Sequence, residues 1–204
     1  MTAAGYSFRG ANAIGEVIAA STSTSGFSNA EELITAIYHR FVIFEPVFKE
    51  IGSGGATAAG GYTYFTADMA ANNGLGQGIA RGSVVTWPFS GQTQVTPNFF
   101  SDYEEPDPVP DAGVNEVGYP ISVHANMSST LSVQSFTVHA HGGKDLNVRQ
   151  IGNQTTNAQG QAAAPTAAAI IPLAPLASKT TYDVSFSGTV DGTPVSKSWS
   201  FTTK

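Results

Sequence analysis

The chain has 204 residues, of which 41% are hydrophobic and 12% charged, a composition typical of a folded globular protein. Its formal net charge is -6 and its nine Lys and Arg residues are scattered, which excludes a basic surface for the phosphate backbone of nucleic acids. Cysteine is absent, so disulfides, thiolate metal sites and cysteine nucleophiles are excluded. No stretch approaches the roughly 18 apolar residues of a transmembrane segment.

The first half of the chain contains one clear helical pattern, which predicts a helix from Ser28 to about Phe41. Ser28 and Glu31 have the spacing of a capping box, in which the two side chains satisfy free N–H groups of the first turn. Apolar residues then recur every three or four positions and form one stripe. His39 lies outside this stripe, on the side of the helix that carries Glu32.

A proline-rich acidic stretch, SDYEEPDPVPD at 101–111, predicts a linker. Alternating prolines remove backbone donors and favour extended geometry, and the carboxylates keep the segment hydrated. We therefore expect a first domain over 1–100, a linker over 101–113 and a second domain over 114–204.

The second half has the pattern of short β-strands. Apolar and polar residues alternate over 121–126, which predicts a half-buried strand. The alternation changes phase near Gln134 and Ser135, which predicts a β-bulge. Asp191 and Gly192 separate two alternating segments and predict a hairpin with a type I′ turn.

The first half also resembles a known family. Gly15-Glu16-Val17-Ile18-Ala19, followed by Tyr38-His39-Arg40, resembles the C-terminal part of a CAP (SCP-like) domain, found in cysteine-rich secretory, antigen 5 and pathogenesis-related proteins. The resemblance implies a partial α/β/α sandwich in which Glu16 and His39 line a cleft. Val17 replaces the family's usual Asn, and the family's first helix and strand have no counterpart before residue 5. The chain is therefore expected to be a piece of a longer protein, with a diverged short member of the family as the alternative.

Residues 114–204 resemble bacterial immunoglobulin-like domains. The resemblance is carried by Ile171-Pro172-Leu173-Ala174-Pro175-Leu176, by Thr180-Thr181-Tyr182 and by Trp199-Ser200-Phe201-Thr202-Thr203. It implies an antiparallel β-sandwich, and several short alternating strands support the same fold. The expected class for the whole chain is α+β.

Two functions follow from these resemblances. The first is an exported protein, extracellular or periplasmic, whose cleft binds a small apolar or lipid-like ligand or a divalent metal, zinc or magnesium, at Glu16 and His39. The alternative is a cell-surface adhesion or spacer module without catalytic activity. An enzyme is the weakest hypothesis, since no nucleophile can be assigned from spacing.

Simpler roles remain open for the candidate residues. His39 fits a surface histidine hydrogen-bonded within its own helix, and Glu16 fits a carboxylate that accepts backbone N–H bonds. His139 and His141 occupy one face of a predicted strand, so they could bind a metal if a third ligand approaches.

Overall fold

The computed structural model describes residues 1, 5–111, 113–152 and 164–204. The protein is mostly β, with two short helices and several antiparallel sheets, which agrees with the expected α+β class. The chain divides into two units, Met1–Gly78 and Ile79–Lys204. Among the described residues no helix is long and apolar enough to cross a membrane.

The first unit is a three-stranded antiparallel sheet with two helices. In chain order its elements are β1 (Ala13–Ser21), α1 (Gly26–Thr35), α2 (Ile37–Ile43), β2 (Glu50–Thr57) and β3 (Thr63–Ala71). The strand order is β1-β3-β2, so β3 is central. Its core contains Val17 and Ala19 of β1, Ala67 and Met69 of β3, and Leu33 of α1.

Close packing of α2 on β1 depends on a glycine. A Cβ atom at Gly15 would lie 2.8 Å from a methyl group of Val42 and 2.9 Å from the ring of Phe48. The face of β1 that carries Gly15 and Val17 is therefore the face that packs against α2. The opposite face of β1 carries the exposed side chains of Ile14 and Ile18.

The structure has two helices where the sequence pattern predicted one. The N-cap is Ser25, whose hydroxyl accepts a bond from the Ser28 backbone N–H, so the helix begins at Gly26, two residues earlier than expected. At Ala36 the backbone is extended, with φ -65° and ψ 118°, and the helix is interrupted. Arg40 is fully buried, and its Nε donates to the Ile34 carbonyl that the interruption exposes.

The second unit contains nine described strands and a single 3₁₀ turn at Ser101–Tyr103. The strands are β4 (Val85–Trp87), β5 (Asn98–Phe100), β6 (Glu116–Gly118), β7 (Ile121–His124), β8 (Leu131–Ala140), β9 (Val148–Ile151), β10 (Ala167–Pro172), β11 (Thr181–Val190) and β12 (Thr193–Thr202). They form sheets of order β4-β7-β10-β9, β12-β11-β8 and β5-β6. Buried residues from β7 and β10 join those of β8, β11 and β12 in one core.

The predicted hairpin and the predicted bulge are both confirmed. Val190 pairs with Thr193, which leaves Asp191 and Gly192 as a two-residue turn with φ of 53° and 78°, the signs of a type I′ turn. Along β8 and β11 the register shifts so that Gln134 has no partner. A single extra residue in β8 therefore explains the phase change in the sequence.

Three other expectations differ from the structure. The stretch expected to be a solvated linker packs inside the second unit, where Ser101, Glu104 and Val109 are buried. The contacts also divide the chain at Gly78 and not near residue 100, because β4 pairs with β7. The half-buried prediction for 121–126 is wrong for β7, whose four residues are all buried. Burial of both faces is possible because Ser122 and His124 hydrogen-bond each other at 2.9 Å.

The turn aspartate makes stability depend on pH. The Thr130 N–H donates to Asp191 Oδ1 at 2.8 Å, and this bond, followed by one from the Ser129 side chain, lowers the pKa of the Asp191 carboxyl below its usual value. Because the folded-state pKa is the lower one, ionised Asp191 stabilises the fold above the unfolded-state pKa, and the contribution is lost as pH falls through the folded-state pKa. We expect Asp191→Asn to lower the free energy of unfolding at pH 7, with a difference that shrinks below about pH 4.

This prediction is measured by urea unfolding at pH 7, 5 and 3, followed by tryptophan fluorescence. Asn tolerates the positive φ of position 191, so the variant removes the charge without straining the turn. An equal loss of stability at pH 7 and pH 3 would contradict the assignment.

Candidate functional site

Glu16 lies on β1, on the face that the helices do not cover. Side chains alternate along a strand, and Gly15 and Val17 face the helices, so Glu16 faces the other way. Its partner in the β1–β3 register is Asp68. Two carboxylates directly opposite each other repel, and this part of the sheet is acidic.

His39 lies on α2 and so belongs to the other face of the same sheet. Among the described residues, no hydrogen bond or ion pair joins His39 to Glu16. The sheet itself separates them, because α2 packs against the Gly15 face. The structure therefore does not bring together the two residues expected to line one cleft.

The two histidines predicted on one strand face, His139 and His141, do come together, with two aspartates. His139 Nδ1 lies 3.0 Å from Asp145 Oδ1, and His141 Nδ1 lies 2.8 Å from Asp183 Oδ2. His139 Nε2 also lies 3.9 Å from Asp183 Oδ2, which places Asp183 between the two imidazoles. We call these four residues the His/Asp cluster.

The backbone register explains how the His/Asp cluster forms. Strand β11 pairs with β8 so that Asp183 is opposite His139. The loop after β8 returns through an isolated bridge between His139 and Asp145. Alternation along β8 then puts His139 and His141 on one side, next to both carboxylates. Sequence reasoning found the histidines but missed Asp145 and Asp183, because Asp183 is 42 residues from His141 and no local pattern relates them.

The His/Asp cluster borders a shallow depression lined by Ala140, His141, Lys179, Thr180, Thr181, Asp183 and Ser200. An imidazole activates a hydroxyl only through a hydrogen bond to it. The carboxylates pair with both Nδ1 atoms, as in a Ser-His-Asp triad, but among the described residues no hydroxyl hydrogen-bonds to Nε2 of either histidine. Thr181 pairs with Thr202, and Thr180 donates to the Ser178 carbonyl. The His/Asp cluster is therefore a surface of paired polar side chains.

Metal binding was expected at Glu16 with His39, and at His139 with His141 if a third ligand approached. Within the described part of the chain, no group of three or more His, Cys, Asp or Glu side chains is arranged to hold a metal ion. Asp183 approaches both histidines, but it does so as a hydrogen-bond partner of His141. The metal-ligand role of these residues stays a prediction.

The sequence and the structure were compared with known proteins. No protein-family model, no curated protein and no solved structure matches this chain.

Proposed function

We propose that this chain is part of an exported protein in which Ile79–Lys204 is an immunoglobulin-like module that serves in adhesion at a cell surface. The observation that carries the proposal is the strand order. If β4 and β7 to β12 are lettered A to G in chain order, the sheets read A-B-E-D and G-F-C. This is the arrangement of a constant-type immunoglobulin domain.

A tyrosine at the start of the sixth lettered strand supports the same fold. Tyr182 lies at the beginning of β11 and is 4% exposed. Its hydroxyl accepts a 2.7 Å hydrogen bond from the backbone N–H of Ala177, five residues earlier, in the loop that follows β10. Immunoglobulin-type sandwiches use this contact, the tyrosine corner, to fix the E–F connection.

The step from fold to function rests on the surface and not on the fold alone. The His/Asp cluster is a solvent-exposed polar surface beside a shallow depression, and such a surface can bind another molecule. The negative net charge and the exposed aromatic side chains of this unit are also surface features suited to contact with another molecule. Adhesion is therefore the function that these features support best.

The other expected function, a cleft for a small apolar ligand in the first unit, stays a prediction. The exposed Ile14 and Ile18 on the helix-free face of β1 are consistent with an apolar contact there. The expected residue pair does not favour it, since Glu16 and His39 lie on different faces of the sheet.

Adhesion is tested by displaying the full chain on a laboratory bacterium and counting cells that stay attached under flow to surfaces coated with basic, neutral or acidic proteins. We expect several-fold more attachment than with the anchor alone. A variant that disrupts the second unit, Gly188→Ala, should lose the effect, and the matched variant Gly152→Ala should keep it. If the folded, displayed chain attaches no better than the empty anchor, the proposal fails.

A further inference from the structure

Two aromatic rings of the second unit stack on each other in contact with solvent. Phe100, the last residue of β5, is 38% exposed, and Tyr103, in the following 3₁₀ turn, is 82% exposed. Their ring centroids are 5.5 Å apart with an interplanar angle of 28°. We call this pair the aromatic platform. An exposed apolar surface of this kind is the feature that marks interaction sites on folded proteins.

The turn that carries Tyr103 is anchored on both sides. Ser101 and Glu104 are buried, and the Glu104 N–H donates to the Ser101 carbonyl at 3.1 Å. The N–H groups of Ser101 and Asp102 donate to the backbone and side-chain oxygens of Asn115. The backbone of the platform is thus held before a partner arrives, which lowers the entropy cost of binding.

The segment around the platform is strongly acidic. Residues 98–118 contain six acidic residues, Asp102, Glu104, Glu105, Asp107, Asp111 and Glu116, and no Lys or Arg. Asp102 lies between the two rings in sequence, and Glu116 is opposite Phe100 in the β5–β6 register. Arg149 pairs with Asp111, so one of these six carboxylates already has a cationic partner within the chain.

The chemistry of the platform selects a cation. The face of an aromatic ring carries negative electrostatic potential and attracts a positive charge placed over it. Neighbouring carboxylates attract the same charge and disfavour an anion. A guanidinium group can do both at once, since it stacks on a ring and donates to carboxylates.

We propose that the aromatic platform and its acidic surroundings bind an arginine-bearing segment of a partner protein. This inference rests on the proposed adhesive function and specifies its partner. The ring of Tyr103 supplies the stacking surface, and Asp102 and Glu116 lie in the sequence and register positions that flank it. A contact centred on two aromatic rings with carboxylates around them fits a transient interface and not an obligate one.

The inference is tested with the full chain and a labelled hexa-arginine peptide, by fluorescence anisotropy at physiological salt. We expect hexa-arginine to bind and hexaglutamate not to bind. Tyr103→Ala should weaken hexa-arginine binding about fivefold or more, whereas Tyr103→Phe should bind as the original chain does, because the ring is kept. Asp102→Asn should weaken binding and reduce its salt dependence.

Phe89→Ala is the matched control, since Phe89 is 51% exposed but lies outside the acidic segment. It should leave the affinity unchanged, and thermal unfolding should show that all variants remain folded. The inference is overturned if the original chain does not bind hexa-arginine. It is also overturned if the affinity of Tyr103→Ala for hexa-arginine lies within twofold of that of the original chain. The peptide would then be held by general charge attraction and not by the ring. If displayed Tyr103→Ala cells attach under flow as well as cells with the original chain, the aromatic platform is not the contact used in adhesion. If the chain binds hexa-arginine but displayed cells do not attach to any surface, only the proposed adhesive function is overturned.

Discussion

Gly188→Ala is expected to destabilise the second unit by about 3 kcal/mol, because the bulge leaves no space for a side chain. A Cβ atom at Gly188 would lie 2.1 Å from the backbone oxygen of Ser132 and 3.1 Å from the ring of Phe186. The carbonyl cannot move aside without breaking the pairing of β8 with β11, which passes through this point. Urea unfolding followed by tryptophan fluorescence measures the effect, since both tryptophans, Trp87 and Trp199, belong to the second unit.

The control for this change is Gly152→Ala in the same unit. A Cβ atom at Gly152 would meet Ala168 at 3.5 Å, an ordinary van der Waals contact. We expect its free energy of unfolding to stay close to that of the original chain. A Gly188→Ala chain as stable as the Gly152→Ala chain would show that the register of β8 and β11 is not the one described.

Tyr182→Phe is expected to cost about 0.5–1.5 kcal/mol, because it removes the hydrogen bond that the Ala177 N–H donates to the Tyr182 hydroxyl. The substitution keeps the ring, which stacks on Phe201 with centroids 5.7 Å apart, so the core packing is preserved. The effect on stability therefore reports the hydrogen bond. It is measured by chemical unfolding together with amide hydrogen exchange, in which the Ala177 amide should exchange much faster.

Tyr103→Phe is the control for Tyr182→Phe, because it removes a tyrosine hydroxyl that is exposed to solvent. Tyr103 is 82% exposed, and loss of a solvated hydroxyl should change the free energy of unfolding by less than about 0.5 kcal/mol. If Tyr182→Phe changes the free energy of unfolding as little as Tyr103→Phe does, and if the Ala177 amide exchanges at its original rate, the E–F connection is not fixed by Tyr182.

Local features of the second unit could be predicted from the sequence because each depends on neighbouring residues. The type I′ turn needs two positive φ angles, and Asp191-Gly192 supplies them. The bulge at Gln134 appears as a change of phase in the alternation. The positions of His139 and His141 on one side of a strand follow from a period of two.

Features that depend on distant contacts could not be predicted in this way. The proline-rich acidic stretch reads as a linker because its composition is hydrophilic, yet Val109 within it is fully buried. β7 reads as half-buried because Ser122 and His124 are polar, yet they satisfy each other. The first helix ends at Thr35 because the backbone of Ala36 is extended. Alanine favours helical geometry, so the sequence does not predict a break at this position.

The candidate sites show the same difference between local sequence pattern and contacts between distant segments. The sequence showed which side chains carry chemistry, but Asp145 and Asp183 join the histidines only through the pairing of β8 with β11 and the following loop. It also marked Glu16 and His39, whereas the sheet places them on different faces.

By itself the sequence determined the α+β composition, the hairpin, the bulge and the absence of thiol chemistry, since these depend on residue types and short-range periodicity. Only the tertiary structure decided where the units divide, which strands are central, and which side chains meet. The physical reason is that side-chain alternation fixes a residue's face within its own strand, while the neighbour across the sheet is chosen by pairing between segments far apart in the chain.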